Sequence, residues 1–456
     1  MTAPPDPRPP IRMPWSRSSR AVPRLVVQPL QRFLHLEISG GLVLLAATAI
    51  ALAWANVATG GYHAFWTREL TLSIGDWSLT EDLRAVVNDG LMALFFLVIG
   101  LEVKRELTVG ELSSRQAILL PLFAALGGML LPAAIFLLLS GGGPEAAGWG
   151  IPMATDLAFA LGALAALGRR VPPALMAFLL GVAVIDDIGA ILVVAVAYTA
   201  GIQFLWLAGA LAGLGMMFAL RRVGVRNLGP YIVLGFLVWF ATFESGVHAT
   251  IAGVAIGLLT PVRPFQDPTA ATAHTRRLLE EHDQNEAGEP ADAGRWLRLA
   301  WLARETVSPL TRLEHSLHPW SSFVVLPIFA LANAGIVLNH AALTAAFETP
   351  LAVAVGLSLV VGKALGLTGG AALAIALGIT SLPRGVRWSH MVGVGTLAGI
   401  GFTVSLFISE LAYDEPDMVS AAKIGVFAGS LIAAGLGVAL LLWAGRRGSS
   451  SVTHAP

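Results

Sequence analysis

Gly181-Val182-Ala183-Val184-Ile185-Asp186-Asp187-Ile188-Gly189-Ala190 is a stretch in which two adjacent aspartates interrupt an otherwise apolar run, 174–199. A bilayer-spanning helix needs about 20 mostly apolar residues, and this run supplies them. Charge at bilayer depth is costly, so ionisable residues there are kept for a function. Neighbours on a helix point about 100° apart, so both carboxylates can border one cavity without sharing a face. In a low dielectric, two carboxylates cannot both ionise cheaply.

The rest of the chain supports a membrane setting. Of its 456 residues, 55% are hydrophobic and 13% charged, with 29 basic residues balancing 29 acidic ones. A soluble chain carries about 25% charged residues. This composition excludes a soluble globule, a disordered chain and a nucleic-acid binder, the last two needing an excess of charge. There are no cysteines, so thiol chemistry is excluded. Twelve apolar runs are found, near 36–57, 85–103, 117–140, 147–167, 174–199, 202–220, 230–243, 247–260, 321–338, 351–379, 389–411 and 418–444. The short pair 230–243 and 247–260 could be one helix, or two spans turning at Glu244-Ser245-Gly246.

The basic residues decide between those readings, because cytoplasmic loops collect Lys and Arg. Arginines crowd the segment before the first run. They recur at Arg105 and Arg115, Arg169 and Arg170, Arg221 to Arg226, Arg263 to Arg312, Arg384 and Arg387, and Arg446 and Arg447. The opposite loops are acid-rich. The alternation survives only if 230–260 crosses twice. The expected fold is therefore an all-α polytopic membrane protein with 12 transmembrane helices and both termini cytoplasmic.

The expected organisation has three parts: a disordered basic tail (1–32), a membrane domain (33–444) and a C-terminal tail (445–456). The tail would lie near the anionic inner leaflet, and no removable signal peptide precedes the first span. A long cytoplasmic loop (261–319) carries an acidic stretch at 280–292. Within the loop, Trp296, Leu299, Ala300 and Ala303 recur at helical spacing beside Arg295, Arg298 and Arg304. That pattern is open to two readings, a short interfacial helix or a solvated loop. On the outer side, Leu70-Thr71-Leu72-Ser73-Ile74, Gly75-Asp76 and Trp77-Ser78-Leu79 read as a small β-hairpin with a two-residue turn. An isolated hairpin is marginal in water, which suggests that it pairs with a second subunit.

Four charges stand deep in apolar runs: Asp156, Asp186, Asp187 and Lys363. Asp89 lies nearer a membrane edge. The only lysines are Lys104, Lys363 and Lys423. A desolvated ammonium can lose its proton and a guanidinium effectively cannot, so the choice of Lys at 363 hints at proton chemistry. Lys363 can neutralise one of the paired aspartates, leaving the other to hold a proton or a small cation. The bland alternative, a buried ion pair that only fixes packing, would not require three aspartates. Gly150 and Pro152 precede Asp156, and Gly395, Gly399 and Gly401 interrupt a later run. Interrupted spans in both halves of a chain point to a transporter's site. Half-helix ends carry partial charge, so Asp156 suits facing N-termini and Lys363 suits facing C-termini.

The hard donors at depth are carboxylates, the hydroxyls of Thr155 and Thr403, and freed carbonyls. Such oxygens suit hard cations, and a carboxylate also binds protons. Na+ or Li+ and H+ then compete for the same atoms, and a site that opens to one side at a time turns that competition into exchange. A Na+-coupled symporter would need a pocket for an organic substrate, and no cluster of polar groups supplies one. An intramembrane aspartyl protease would carry Gly-Asp inside a span, but Gly75-Asp76 lies in the outer hairpin. A metal–diphosphate site would need a third acid near Asp186-Asp187, and none follows within three residues.

Several long stretches resemble the NhaA family of bacterial Na+/H+ antiporters. They include Asn88–Phe96, Gly100–Leu107, Ala154–Ala160, Val184–Asp187, Ser245–Thr250, Arg312–Trp320, Val361–Lys363 and Gly399–Thr403, in family order over roughly 33–440. The resemblance implies inverted-topology repeats and two crossed, unwound helices, those holding Asp156 and Gly399–Thr403. It implies that Asp187 is a principal cation and proton carrier and that Asp186 is its partner, able to pair with Lys363. Asp156 and Lys363 are implied to compensate the half-helix dipoles, with Thr155 near the site. It further implies export of Na+ or Li+ against more than one proton, no cofactor, no enzymatic activity, and location in the bacterial inner membrane. A homodimer through the 70–79 hairpin is implied, as is pH sensing by Glu102, Arg105, Glu106, Glu314, His315 and His318. His248 reads as packing or tuning. The 261–311 loop and the tail exceed the family's short form.

Overall fold

The computed structural model describes residues 37–449, except 76, 111, 200, 226, 285–292, 341–343, 345 and 347. The expected tail 1–32, the chain end 450–456, and Glu286, Glu289 and Asp292 of the acidic stretch lie outside the described residues.

The first apolar run forms α1 (Glu37–Val57), followed by the short α2 (Thr59–Trp66). The alternating segment then folds as β1 (Glu69–Ile74) and β2 (Trp77–Asp82), paired antiparallel from Glu69 with Asp82 to Ile74 with Trp77. Gly75 takes φ +62°, which a tight two-residue turn requires. The hairpin is longer than expected because the pairing continues past Leu70 and Leu79 at its open end. It leads into α3 (Leu83–Thr108) and α4 (Arg115–Leu139).

A 3-10 segment (Pro144–Met153) and α5 (Leu157–Leu167) come next, then α6 (Pro173–Ala197) and α7 (Phe204–Val223). The ambiguous apolar stretch is two helices, α8 (Leu228–Glu244) and α9 (Thr250–Leu259), with Gly246 at φ +79° between them. The long loop is largely helical. It holds α10 (Pro268–Gln284), α11 (Ala293–Glu305) and α12 (Pro309–Trp320). The helix reading of 296–304 is thus the one adopted. A π segment (Ser321–Val325) joins α12 to α13 (Leu326–Asn333). The chain ends with α14 (Pro350–Ala376), α15 (Trp388–Leu397), α16 (Phe402–Ala412) and α17 (Pro416–Ser449).

Among the described residues, seven helices are long and apolar enough to cross a membrane, or nine counting each bent pair as one span. The bent pairs are the 3-10 segment with α5, at 40°, and α15 with α16, at 47°.

Lipid offers no hydrophobic drive between helices, so small residues that admit close backbones matter most. α14 lies against α4 through such contacts. Gly127 and Gly366 face each other so closely that a Cβ on either would strike the other's carbonyl. A Cβ at Gly362 would stand 2.7 Å from Pro132 Cα. Gly100 of α3 makes the same approach to α9, where a Cβ would lie 2.8 Å from the Val254 carbonyl. The C-terminal carbonyls of α9 are met by cations: Lys104 donates to Leu258, and Arg221 donates to Leu259 at 2.9 Å. Positive charge is favourable at a helix C-terminus.

Candidate functional site

Helical structure stops at Ala154-Thr155-Asp156, between the 3-10 segment and α5, and again over Ala398-Gly399-Ile400-Gly401, between α15 and α16. The two breaks touch. The Asp156 amide donates to the Ile400 carbonyl at 2.6 Å. Gly401 sits in the contact, where a Cβ would lie 2.9 Å from Leu359 Cδ2. Backbone groups freed at membrane depth need protein partners. The Gly401 amide donates to the Ser430 hydroxyl at 3.2 Å, and the Ser405 hydroxyl donates to the Ile151 carbonyl at 2.6 Å. The Asp156 carboxylate serves both half-helix N-termini. It caps α5 through the Phe159 amide (3.4 Å) and accepts from the amide (3.1 Å) and hydroxyl of Thr403 near the start of α16. Negative charge there answers the partial positive charge of both helix ends.

Asp186 and Asp187 lie near the middle of α6, and their environments differ. Asp186 is fully buried. Its Oδ2 accepts from Lys363 Nζ at 2.6 Å and from the Thr155 hydroxyl at 2.8 Å. Its Oδ1 is buried with no partner among the described residues. Lys363 is also fully buried, directly after the π segment Ser358–Gly362 of α14, and its hydrogen bond goes to Asp186. It makes none to the half-helix carbonyls among the described residues. Asp187, one residue on, is partly exposed and has no hydrogen bond or ion pair among the described residues. Asp186, Asp156, Glu102 and Lys363 all lie within Coulombic reach of it. Lys363 balances one carboxylate and two helix ends balance another. The carboxylate left over needs a proton or a cation.

Residues 31–441 match the family described as Na+/H+ antiporter 1. The chain belongs to that family. One relative is "Na(+)/H(+) antiporter NhaA 2" of Sorangium cellulosum, 45% identical over 421 residues, covering 91% of this chain and 90% of the relative. Another is "Na(+)/H(+) antiporter NhaA" of Rhodopirellula baltica, 46% identical over 425 residues, covering 91% and 94%. Among solved structures, the sodium proton antiporter MjNhaP1 from Methanocaldococcus jannaschii superposes with a TM-score of 0.50. That match covers 92% of this chain and 98% of the other at 13% identity, a likeness of fold alone. As a member of the Na+/H+ antiporter 1 family, the chain is a multi-pass membrane transporter and not an enzyme.

A second cluster of this antiporter lies at the C-terminal end of α3. The Arg105 guanidinium donates to Glu106 at 2.9 Å and also to Glu314 of α12. Glu102, one turn earlier on α3, is within Coulombic reach of all three. His315 and His318 lie on the exposed side of α12. The structure therefore gathers Glu102, Arg105, Glu106 and Glu314, with the two histidines at the margin. His248 sits in neither cluster, and its Nε2 meets the Tyr198 carbonyl at 2.7 Å.

Some groups escaped the sequence reading. Lys423 forms a buried ion pair with Glu410, and neither stood out because both lie near helix ends, where long side chains snorkel. Tyr198, just past α6, donates to the Ala147 carbonyl at 2.8 Å, and Tyr413, just past α16, donates to the Glu145 carbonyl at 2.6 Å. The two elements that carry Asp186 and Thr403 thus both grip the 3-10 segment that leads to Asp156. With only four Tyr in the chain, their place at the ends of apolar runs was the available signal.

Proposed function

We propose that the chain exports Na+ or Li+ across the bacterial inner membrane in exchange for more than one proton, with Asp187 as the principal carrier. Exchange of Na+ for H+ is the activity of the family to which it belongs. The assignment of Asp187 is carried by one observation: among the described residues it has no hydrogen-bond or ion-pair partner, beside a neighbour held by Lys363 and Thr155. Asp186 takes part as the second carboxylate, and its unpartnered Oδ1 is available to a cation held on Asp187. A cation bridging both aspartates weakens the hold of Lys363 on Asp186, and proton return restores it. A second titrating group makes exchange of more than one proton per cation feasible, and the exchange is then electrogenic. Asp156 compensates the half-helix N-termini, with Thr155 beside the ion. Na+ is cargo here, and no resident cofactor is needed.

Twelve spans follow if α8 and α9 each cross and α12–α13 crosses as one. Two bent spans, one in each half, support inverted repeats crossing at their breaks. In this arrangement 33–444 is the membrane domain, both termini are cytoplasmic, and the 70–79 hairpin joins two copies. The cluster of Glu102, Arg105, Glu106, Glu314, His315 and His318 is proposed to set the pH response, because α12 links it to the span that follows.

The test is purified protein in proteoliposomes with an internal pH dye. Added Na+ or Li+ is expected to collapse an imposed proton gradient, K+ is not, and Asp187→Asn is expected to abolish the response. Full exchange in Asp187→Asn would end the carrier assignment.

A further inference from the structure

α11 shows a face that none of the described residues covers. Trp296, Leu297 and Trp301 are 56%, 71% and 47% exposed, while Leu302 is buried against the protein. At 100° per residue, the three exposed side chains fall within an arc of about 140°, shared with Ala300 and Arg304, and Leu302 lies opposite. Two tryptophans and a leucine on one arc make an unusual surface for bulk water. Tryptophan concentrates at membrane–water interfaces, where its ring meets apolar and polar surroundings together.

The position of the helix identifies the occupant. The carbonyl of Glu305, its last residue, accepts the amides of Phe265 and Gln266 at 3.1 Å each. The Leu310 amide donates to the Pro261 carbonyl at 3.1 Å, two residues past the end of α9. Glu305, Phe265 and Val307 also line a lateral cavity of about 840 Å³ whose other walls include Leu94, Ile232 and Phe236 of the membrane spans. The end of α11 is therefore continuous with the lipid-facing surface. Phe265 and Val307 extend the apolar exposure toward α11, at 56% and 41%. Charge points the same way. Arg298 and Arg304 are the basic residues of α11 whose side chains are described, and Arg304 is exposed on the apolar arc.

We propose that α11 lies in the plane of the membrane, its Trp296, Leu297 and Trp301 seated among the headgroups of an anionic phospholipid surface. A basic amphipathic helix with aromatic residues on its apolar face binds in this way. The docking does not depend on which aspartate carries Na+, so the two assignments fail separately. It has a structural consequence. Glu305 forms an ion pair with Arg312 at 3.9 Å, two residues before Glu314, so the lipid surface holds a strap that ends beside the Arg105 cluster.

The chain has no cysteine, so a single Leu297→Cys in the full chain carries a fluorescent probe without further mutation. The labelled protein is reconstituted into phosphatidylcholine vesicles with and without phosphatidylglycerol. With phosphatidylglycerol present, the expected result is blue-shifted emission, quenching by a lipid nitroxide placed near the headgroup, and loss of quenching by aqueous iodide. Arg304→Glu is expected to reverse the shift. A probe at Thr272→Cys on α10 is expected to stay open to iodide, which checks that the loop is folded and wet elsewhere. Iodide quenching at 297 in both lipids would overturn the proposal in favour of a solvated helix. Shielding from both quenchers would overturn it in favour of a protein partner or a second copy.

Discussion

Asp186 and Asp187 are chemically identical neighbours whose surroundings give them different tasks. One is fixed by an ammonium and a hydroxyl, and the other is left open. Removing one member of a buried ion pair strands the other charge, at a cost of about 3–5 kcal/mol, whereas replacing both with apolar groups costs much less. Lys363→Ala is therefore expected to lower thermal stability markedly, and the double variant Asp186→Leu/Lys363→Met to recover most of it. A melting series in detergent checks this, and equal losses in both variants would argue against the pair. The sequence already showed that Asp156, Asp186, Asp187 and Lys363 stand at depth, because all four lie inside apolar runs. It left open which aspartate Lys363 neutralises, since that depends on the rotation of α6 against α14. The family resemblance implied Asp186, and Lys363 does contact Asp186 in the structure. The buried Lys423–Glu410 pair was not legible, because helix-end charges in a sequence look solvated.

Between elements, close backbone contact holds the site. Gly362 and Gly366 flank Lys363 on the face that meets α4, and neither admits a side chain without displacing the helix. Overpacking of this kind costs about 1–3 kcal/mol. Gly366→Leu is expected to move Lys363 away from Asp186 and to lower exchange in proteoliposomes, while Gly369→Leu, at an open position on the same helix, leaves it unchanged. Equal activity in the two variants would remove the close contact from the explanation. Apolar periodicity places helices well but does not reveal which glycines face one another, so this interface was invisible before the fold. The breaks at Asp156 and Gly401 were legible from Pro152 and the clustered glycines. Their mutual contact was not, since 244 positions separate Asp156 from Ile400.

At the scale of the whole molecule, the alternation of basic and acidic loops called for a turn at Glu244-Ser245-Gly246, and α8 and α9 are separate helices with Gly246 between them. The long loop was the least legible region, because short helices there depend on docking that periodicity alone does not specify. The hairpin leads to a prediction about assembly. Deleting 70–79 is expected to leave a folded monomer, measured as mass by light scattering, because the two-stranded sheet has no third strand among the described residues. A dimer of unchanged mass would place the interface elsewhere. The central claim is that Na+ and H+ compete for the carboxylate of Asp187. The most direct measurement is proton release when Na+ is added to purified protein in weakly buffered detergent solution. The wild-type chain is expected to release protons on Na+ addition, and Asp187→Asn to release none. Undiminished proton release from Asp187→Asn would contradict the claim.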